Sequence, residues 1–228
     1  MPTVDEVLST FEPISLAQME CVKLMNRIDT KYAIPYSRLA ELLECASADY
    51  YVQQIDGQRI AVYDTMYYDT ENLEMYIRHH NRHLVRQKVR IREYVDSNLV
   101  FLEVKRKNNH GRTKKKRIAL STPDWQEQHE QIADFLSRKS NYSYEQLKPA
   151  VRTQFRRITL VNKDKTERLT IDFSLVWTNA RNHCQISIPE LVVVELKRDG
   201  NVPSPMIRIM NRMRIHQLKI SKYSYYKT

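Results

Sequence analysis

Residues 88–107 read KVRIREYVDSNLVFLEVKRK. Two alternating runs flank the polar triplet Asp96-Ser97-Asn98, the pattern of a β-hairpin. Side chains along a strand alternate between two faces. Val89 and Ile91, with Val100, Leu102 and Val104, therefore form one apolar face. Lys88, Arg90 and Arg92, with Glu103, Lys105 and Lys107, form the other. A half-exposed sheet with its charges in water gives this pattern. So does a barrel lined with cations.

The same alternation recurs along the chain. Residues 101–107 (FLEVKRK) are echoed by VVELKRD at 193–199, so Glu103 and Lys105 match Glu195 and Lys197 in parity. Arg27, Asp29 and Lys31 alternate in another run. Arg168, Thr170 and Asp172 do so opposite Leu169, Ile171 and Phe173, and Arg157 sits beside Ile158 and Leu160. A solvated face normally mixes Lys, Glu, Thr, Ser and Gln. Here cations dominate the alternate positions, with one or two carboxylates among them. Two like charges about 6 Å apart repel by about 3 kcal/mol at an effective dielectric near 20. Such faces make sense if a polyanion normally neutralises them.

Strand-like runs cover 27–34, 59–68, 84–94, 99–107, 113–120, 155–161, 167–176 and 190–198. Eight strands are enough to close a small barrel. Helical patterns interrupt them. Leu39, Leu42 and Leu43 follow Pro35-Tyr36-Ser37. Thr122-Pro123-Asp124 predicts a helix over WQEQHEQIADFLSRK, and Ser204-Pro205 opens a helix with a Met206, Ile209, Met210, Met213 core stripe. His79, His80 and His83 read as a helix surface and its exit rather than a metal site. KKKR at 114–117 reads as part of a strand.

Composition narrows the function. The 228 residues carry a formal charge of +10, which points to a polyanionic partner. Only Gly57, Gly111 and Gly200 occur, so no glycine-rich phosphate loop can be built. Side-chain cations must carry any phosphate binding. No apolar run is long enough for a transmembrane helix, and the first residues lack a signal-peptide pattern. Cys21, Cys45 and Cys184 have no metal-ligand spacing and read as reduced thiols of a cytoplasmic protein.

Seven segments in order carry a resemblance: RIDTKY (27–32), YYDT (67–70), VRIREY (89–94), FLEVKRK (101–107), ERLTID (167–172), VVELK (193–197) and KISKY (219–223). Together they resemble the VTC-type polyphosphate polymerase domain of the triphosphate tunnel superfamily, in its bacterial stand-alone form. The resemblance covers about 15–226 of a chain read as one domain, 1–228. It implies an α+β fold, an eight-stranded antiparallel β-barrel tunnel flanked by helices. It also implies transfer of the ATP γ-phosphate to a growing polyphosphate chain, with Mn²⁺ or Mg²⁺.

On this resemblance Lys31, Arg90, Arg92 and Lys222 act at the transferred phosphate. Lys105, Lys115, Arg157, Arg168, Lys219 and Ser221 bind substrate. Glu195 holds the metal, with Glu103 as second carboxylate. Glu103 also reads as a salt-bridge partner of Lys105 or Arg90, and Asp172 as an orienting group or the partner of Arg168.

Two departures stand out. The Glu-x-Glu-x-Lys of many superfamily members is Arg27-x-Asp29-x-Lys31 here, which weakens a two-metal hydrolase reading. Phe155 stands where the polymerase pattern has tyrosine. Rival readings are a triphosphatase of the same fold, a non-catalytic polyphosphate- or nucleotide-binding module, and a nucleic-acid binder, the last not expected. Any membrane coupling would come through a separate partner protein. Oligomeric state is not legible.

Overall fold

The computed structural model describes residues 2–20, 27–110, 112–200 and 202–218. Eleven strands and six α-helices are present among them. In chain order they are α1 (Val4–Ser9), β1 (Pro13–Ile14), α2 (Leu16–Glu20), β2 (Arg27–Pro35), α3 (Leu39–Ala46), β3 (Tyr50–Gln53), β4 (Ala61–Asp69), α4 (Glu74–His80), β5 (Arg86–Tyr94), β6 (Leu99–Lys107), β7 (Thr113–Leu120), α5 (His129–Lys139), β8 (Lys148–Asn162), β9 (Glu167–Asn179), β10 (Gln185–Ile188), β11 (Leu191–Asp199) and α6 (Pro205–Arg212). The fold is α+β and mostly antiparallel. Eight of the strands follow the order β2-β11-β9-β8-β4-β5-β6-β7, with β1, β3 and β10 off this path. Among the described residues the path has β2 and β7 as its ends, so their pairing does not draw the closed ring that a barrel in the strict sense has.

The chain divides into two compact units. One comprises Met1–Ala61, Phe155–Leu175 and Ile188–Ile220; the other comprises Val62–Gln154, Val176–Ser187 and Ser221–Thr228. The long strands β8 and β9 contribute to both.

In the first unit, β11 pairs with β2 on one side and β9 on the other. One face of these strands presents Tyr32, Ile34, Leu169, Ile171, Phe173, Val192, Val194 and Leu196 to the core. Helices α3 and α6 cover that face. Helix α3 supplies Leu39, Leu42, Leu43 and Ala46, all fully buried, at the spacing of one helical face. Helix α6 supplies Met206, Ile209 and Met210, with Met213 just beyond, so the methionine stripe is core. Its start is the one the sequence predicts: Pro205 occupies the first turn and Ser204 accepts from the Ile207 amide at 3.1 Å.

In the second unit, β5 pairs with β4 and β6, and β6 with β7. Val89, Ile91, Val100, Leu102, Val104 and Leu120 face a core completed by Met75 of α4 and by Ile132, Phe135 and Leu136 of α5. The predicted hairpin is therefore β5–β6. Asn98 closes it in the left-handed conformation (φ 50°), which asparagine tolerates better than most residues. Helix α4 starts on the buried Asp69, whose carboxylate accepts from the amides of Met75 at 2.9 Å and Tyr76 at 2.8 Å.

Two predicted boundaries move. Helix α5 begins at His129, not Trp125. Asp124 accepts from the amides of Gln126 (2.7 Å) and Glu127 (3.0 Å), forming a side-chain turn. Trp125 is drawn into a stack between Tyr68 and Tyr144. Strand β8 begins at Lys148, seven residues before the predicted run, despite Pro149. Ala150 and Val151 are buried there, and the Ala180 amide bonds to the Ala150 carbonyl at 3.0 Å.

Truncating Leu43, fully buried in the α3 face, is expected to cost about 2–5 kcal/mol. Urea unfolding of Leu43→Ala measures it. A loss below about 1 kcal/mol would show that α3 does not depend on that contact.

Candidate functional site

Strand register sets which charged residues share a face. In the second unit one row reads Tyr67, Arg90, Glu103, Arg117 across β4 to β7. The next reads Lys88, Lys105, Lys115 across β5 to β7. On the other side lies Thr65, Arg92, Phe101, Ala119. All of these lie on the face opposite the core. On β5 and β6 this is no solvated face, since Arg90 and Arg92 are each 7% exposed and Glu103 is 0% exposed, whereas Lys115, Arg117 and Ala119 of β7 are exposed.

Glu103 is the counter-ion of the group. One of its oxygens accepts from Arg90 at 2.5 and 2.8 Å, and the other accepts from Lys115 at 2.7 Å. Arg90 also donates to the Tyr67 hydroxyl at 3.1 Å, and Arg92 donates to the Thr65 hydroxyl at 3.1 Å. The guanidiniums stand near the rings of Tyr67 and Tyr63, at 5.7 and 5.3 Å. Arg90 is thus aimed by neighbours on β4 and β6, and Arg92 by neighbours on β4. The salt-bridge reading of Glu103 holds for Arg90, and its second partner is Lys115.

These cations act on Glu103 and on each other. Burial raises the Glu103 carboxyl, but Arg90, Arg92, Lys115 and Lys105 outweigh it and hold the group below the usual carboxylate range. Lys105 is pushed down to about 5, first by the Arg90 charge and then by burial.

In the first unit, the rows are Asp29, Lys197, Arg168 and Lys31, Glu195, Thr170 across β2, β11 and β9. Glu195 lies 3.4 Å from Lys197, and both side chains are about one-fifth exposed, 22% and 18%. The Lys197 ammonium is lowered chiefly by burial. Asp172, 1% exposed, accepts from Arg157 at 2.5 and 2.8 Å. Asp172 is thus tied to Arg157 by a two-point bond. The Arg157 guanidinium stands 5.2 Å from the ring of Phe155.

The structure therefore groups Arg90, Arg92, Glu103, Lys105 and Lys115 in one unit, and Lys31, Arg157, Arg168 and Glu195 in the other. Lys219, Ser221 and Lys222 lie outside the described residues. Sequence reasoning gave no site role to Tyr67, Thr65 or Arg117, and noted Lys197 only for its parity with Glu195. Their strand parity with Arg90, Arg92, Glu103 and Glu195 was the available signal.

Among the described residues no group of three or more His, Cys, Asp or Glu is arranged to hold a metal. His80 and His83 are exposed, as a helix surface and its exit should be. Glu195 fits a more modest role. Its carboxylate is partly exposed and its lysine contact is long, so it can serve a hard cation that takes its other ligands from phosphate and water.

The model of the VTC domain matches residues 26–226. The chain belongs to the VTC domain family. The VTC domain chain thus works in phosphoryl-group chemistry, on a fold of the triphosphate tunnel type. No curated protein matches it. Among solved structures it is similar to the PH1819 protein of Pyrococcus horikoshii OT3, with 13% identity and a TM-score of 0.49 over 86% of this chain and 93% of that one. It is also similar to a putative adenylyl cyclase of Hippeastrum described as having a dominant triphosphatase activity. There the identity is 13% and the TM-score 0.48, over 88% of this chain and 95% of that one. The Mediator head module of Schizosaccharomyces pombe gives 8% identity and 0.45, over 82% and 90%. Among the described residues no helix is long and apolar enough to cross a membrane.

The Lys105 shift gives a pH test. The unfolded lysine holds its proton up to its ordinary range near 10.5, while the folded one releases it above about 5. Between those limits the unfolded state binds more protons, so stability of the ligand-free protein rises with pH. One proton corresponds to about 1.4 kcal/mol per pH unit. Urea unfolding at pH 6 and pH 8 should show that slope in the native sequence and lose most of it in Lys105→Met.

Proposed function

We propose that the chain is a metal-dependent polyphosphate polymerase that moves the γ-phosphoryl group of ATP onto the end of a polyphosphate chain. The observation that carries this reading is the cation row on the non-core face of β5, β6 and β7. There Arg90, Arg92, Lys105 and Lys115 surround a single carboxylate, Glu103. Arg90, Arg92 and Lys115 carry more positive charge than this one counter-ion matches, an excess that is stable in company with a polyanion. Membership in the VTC domain family supports the same chemistry.

Phosphoryl transfer asks for alignment and charge neutralisation more than covalent help. A terminal oxygen of the acceptor chain attacks the γ-phosphorus as the bond to the β–γ bridging oxygen breaks, and ADP leaves. The attacking group is already an anion, so no general base is required. Arg90 and Arg92 would grip the equatorial oxygens of the transferred group, a task for which a planar, always-charged fork is suited. Their hydrogen bonds to Glu103, Tyr67 and Thr65 hold those forks in place. Lys115 supplies a point charge along the chain, and Lys105 supplies another once an adjacent phosphate restores its proton.

In the first unit, Lys31, Arg157 and Arg168 are the candidate phosphate ligands. Lys219, Ser221 and Lys222 join them on sequence resemblance alone. Glu195 is the carboxylate that would hold Mn²⁺ or Mg²⁺. Such an ion neutralises phosphate oxygens as charge shifts to the leaving group. Glu103, with both oxygens engaged, serves the arginines rather than the metal.

The purified protein with ATP and Mn²⁺ or Mg²⁺ should yield chains that run as a ladder on a polyacrylamide gel. Release of free phosphate alone would replace this reading with a triphosphatase. Glu195→Gln should lower turnover at least about a hundredfold, on the scale of losing one electrostatic stabiliser, while polyphosphate binding survives. An unchanged rate would move the metal elsewhere.

A further inference from the structure

The three most exposed large apolar side chains of the second unit include two neighbours, Leu84 at 60% and Val85 at 53%, in the connection from α4 to β5. Ile77 on α4 is 47% exposed. None belongs to the phosphate-facing rows. The segment is also strongly basic. Arg78, Arg82 and Arg86 lie within it, with His79, His80 and His83, and no Asp or Glu occurs between Glu74 and Glu93.

The connection has a fixed shape. The Asn81 amide bonds to the Ile77 carbonyl at 2.9 Å, the Arg82 amide to His79 at 3.2 Å, and the His83 amide to Arg78 at 3.0 Å. Arg86 donates to the His83 carbonyl at 2.6 Å. Tyr76 and His80 stack at 5.8 Å. Arg82 takes a left-handed conformation (φ 57°) that turns the chain toward Leu84. The exposed leucine and valine are therefore presented by an ordered turn rather than left over from a loose one.

We propose that residues 77–86 dock the protein on an anionic lipid surface. Charge complementarity favours this occupant. Three arginines share a ten-residue segment with an exposed apolar pair, the combination that places basic groups at headgroups and apolar side chains at the acyl boundary. A folded protein partner fits less well. Three apolar side chains are far fewer than the roughly 20–30 residues a side of a standard protein interface. At a lipid interface charge supplies most of the attraction, and two or three apolar groups suffice to add to it.

The chain's net charge of +10 would attract it weakly to any anionic vesicle, so the test must hold charge fixed. Sedimentation with vesicles of phosphatidylcholine alone, and with phosphatidylserine added, is measured for the native protein and for a Leu84→Ser, Val85→Ser double variant. The native protein should bind the anionic vesicles and not the neutral ones. The double variant should bind at least fivefold more weakly while its thermal unfolding and its binding of inorganic tripolyphosphate stay unchanged. Replacing Arg78 and Arg82 by Gln should weaken binding roughly fivefold per arginine.

Equal vesicle binding by the double variant would overturn the proposal in favour of bulk charge. Absence of native binding would overturn it outright. So would binding to polyglutamate that matches vesicle binding and falls with the double variant, since that marks an acidic protein as the occupant. The readout needs no turnover, so it stands whether or not polyphosphate synthesis is found.

Discussion

The bond network centred on Glu103 governs the character of this molecule. Arg90, Arg92 and Lys115 would crowd one strand face with no counter-ion if that carboxylate were absent, and the crowding already loosens the proton of Lys105. Glu103 is fully buried and joins Arg90 on one side to Lys115 on the other. Removing one partner of a buried pair leaves an uncompensated charge, which typically costs 3–5 kcal/mol. One carboxylate therefore makes the face foldable. It does not neutralise it, and the residual charge is what a polyanion would meet.

The first unit solves the same problem in the same way. Asp172 holds Arg157 by two bonds, and Glu195 stands beside Lys197. Each set combines one tightly bonded pair with neighbouring cations on the same strand face. The arginines are the members fixed by two-point or multiple bonds. The lysines are the members whose protons are loosened: Lys105 by the adjacent Arg90 and by burial, Lys197 chiefly by burial. Guanidiniums keep their charge under such crowding because their affinity for the proton is so high, whereas ammoniums yield it. The division into fixed forks and adjustable point charges follows from side-chain chemistry rather than from position.

Much of this was legible in the sequence because strand periodicity is two. Once VRIREY and FLEVKRK were read as a hairpin, parity alone put Arg90, Arg92, Glu103 and Lys105 on one face and Val89, Ile91, Leu102 and Val104 on the other. The α6 start was legible because Ser204 and Pro205 act locally. What escaped were features set by partners distant in sequence. Trp125 leaves its predicted helix for Tyr68 and Tyr144, and β8 extends through Pro149 because Ala150 meets Ala180. The two-residue β1 and four-residue β3 are too short to show a period. Parity says which residues share a face but not which cation a carboxylate takes. Asp172 went to Arg157, and Glu103 shared itself between Arg90 and Lys115.

That last distinction bears on the metal. A carboxylate already accepting from a guanidinium and an ammonium has its negative charge matched, and a divalent ion would have to displace one of them. Glu195 stands 3.4 Å from Lys197 and keeps about one-fifth of its side chain exposed, whereas Glu103 is fully buried. The repeated Glu-x-Lys pattern thus serves two different ends. In β6 it balances a buried arginine, and in β11 it keeps a partly exposed carboxylate beside a lysine, although LEVK and VELK differ little. The difference comes from the neighbouring strands. Glu103 stands opposite Arg90 and Arg117, whereas Glu195 stands opposite Lys31 and Thr170.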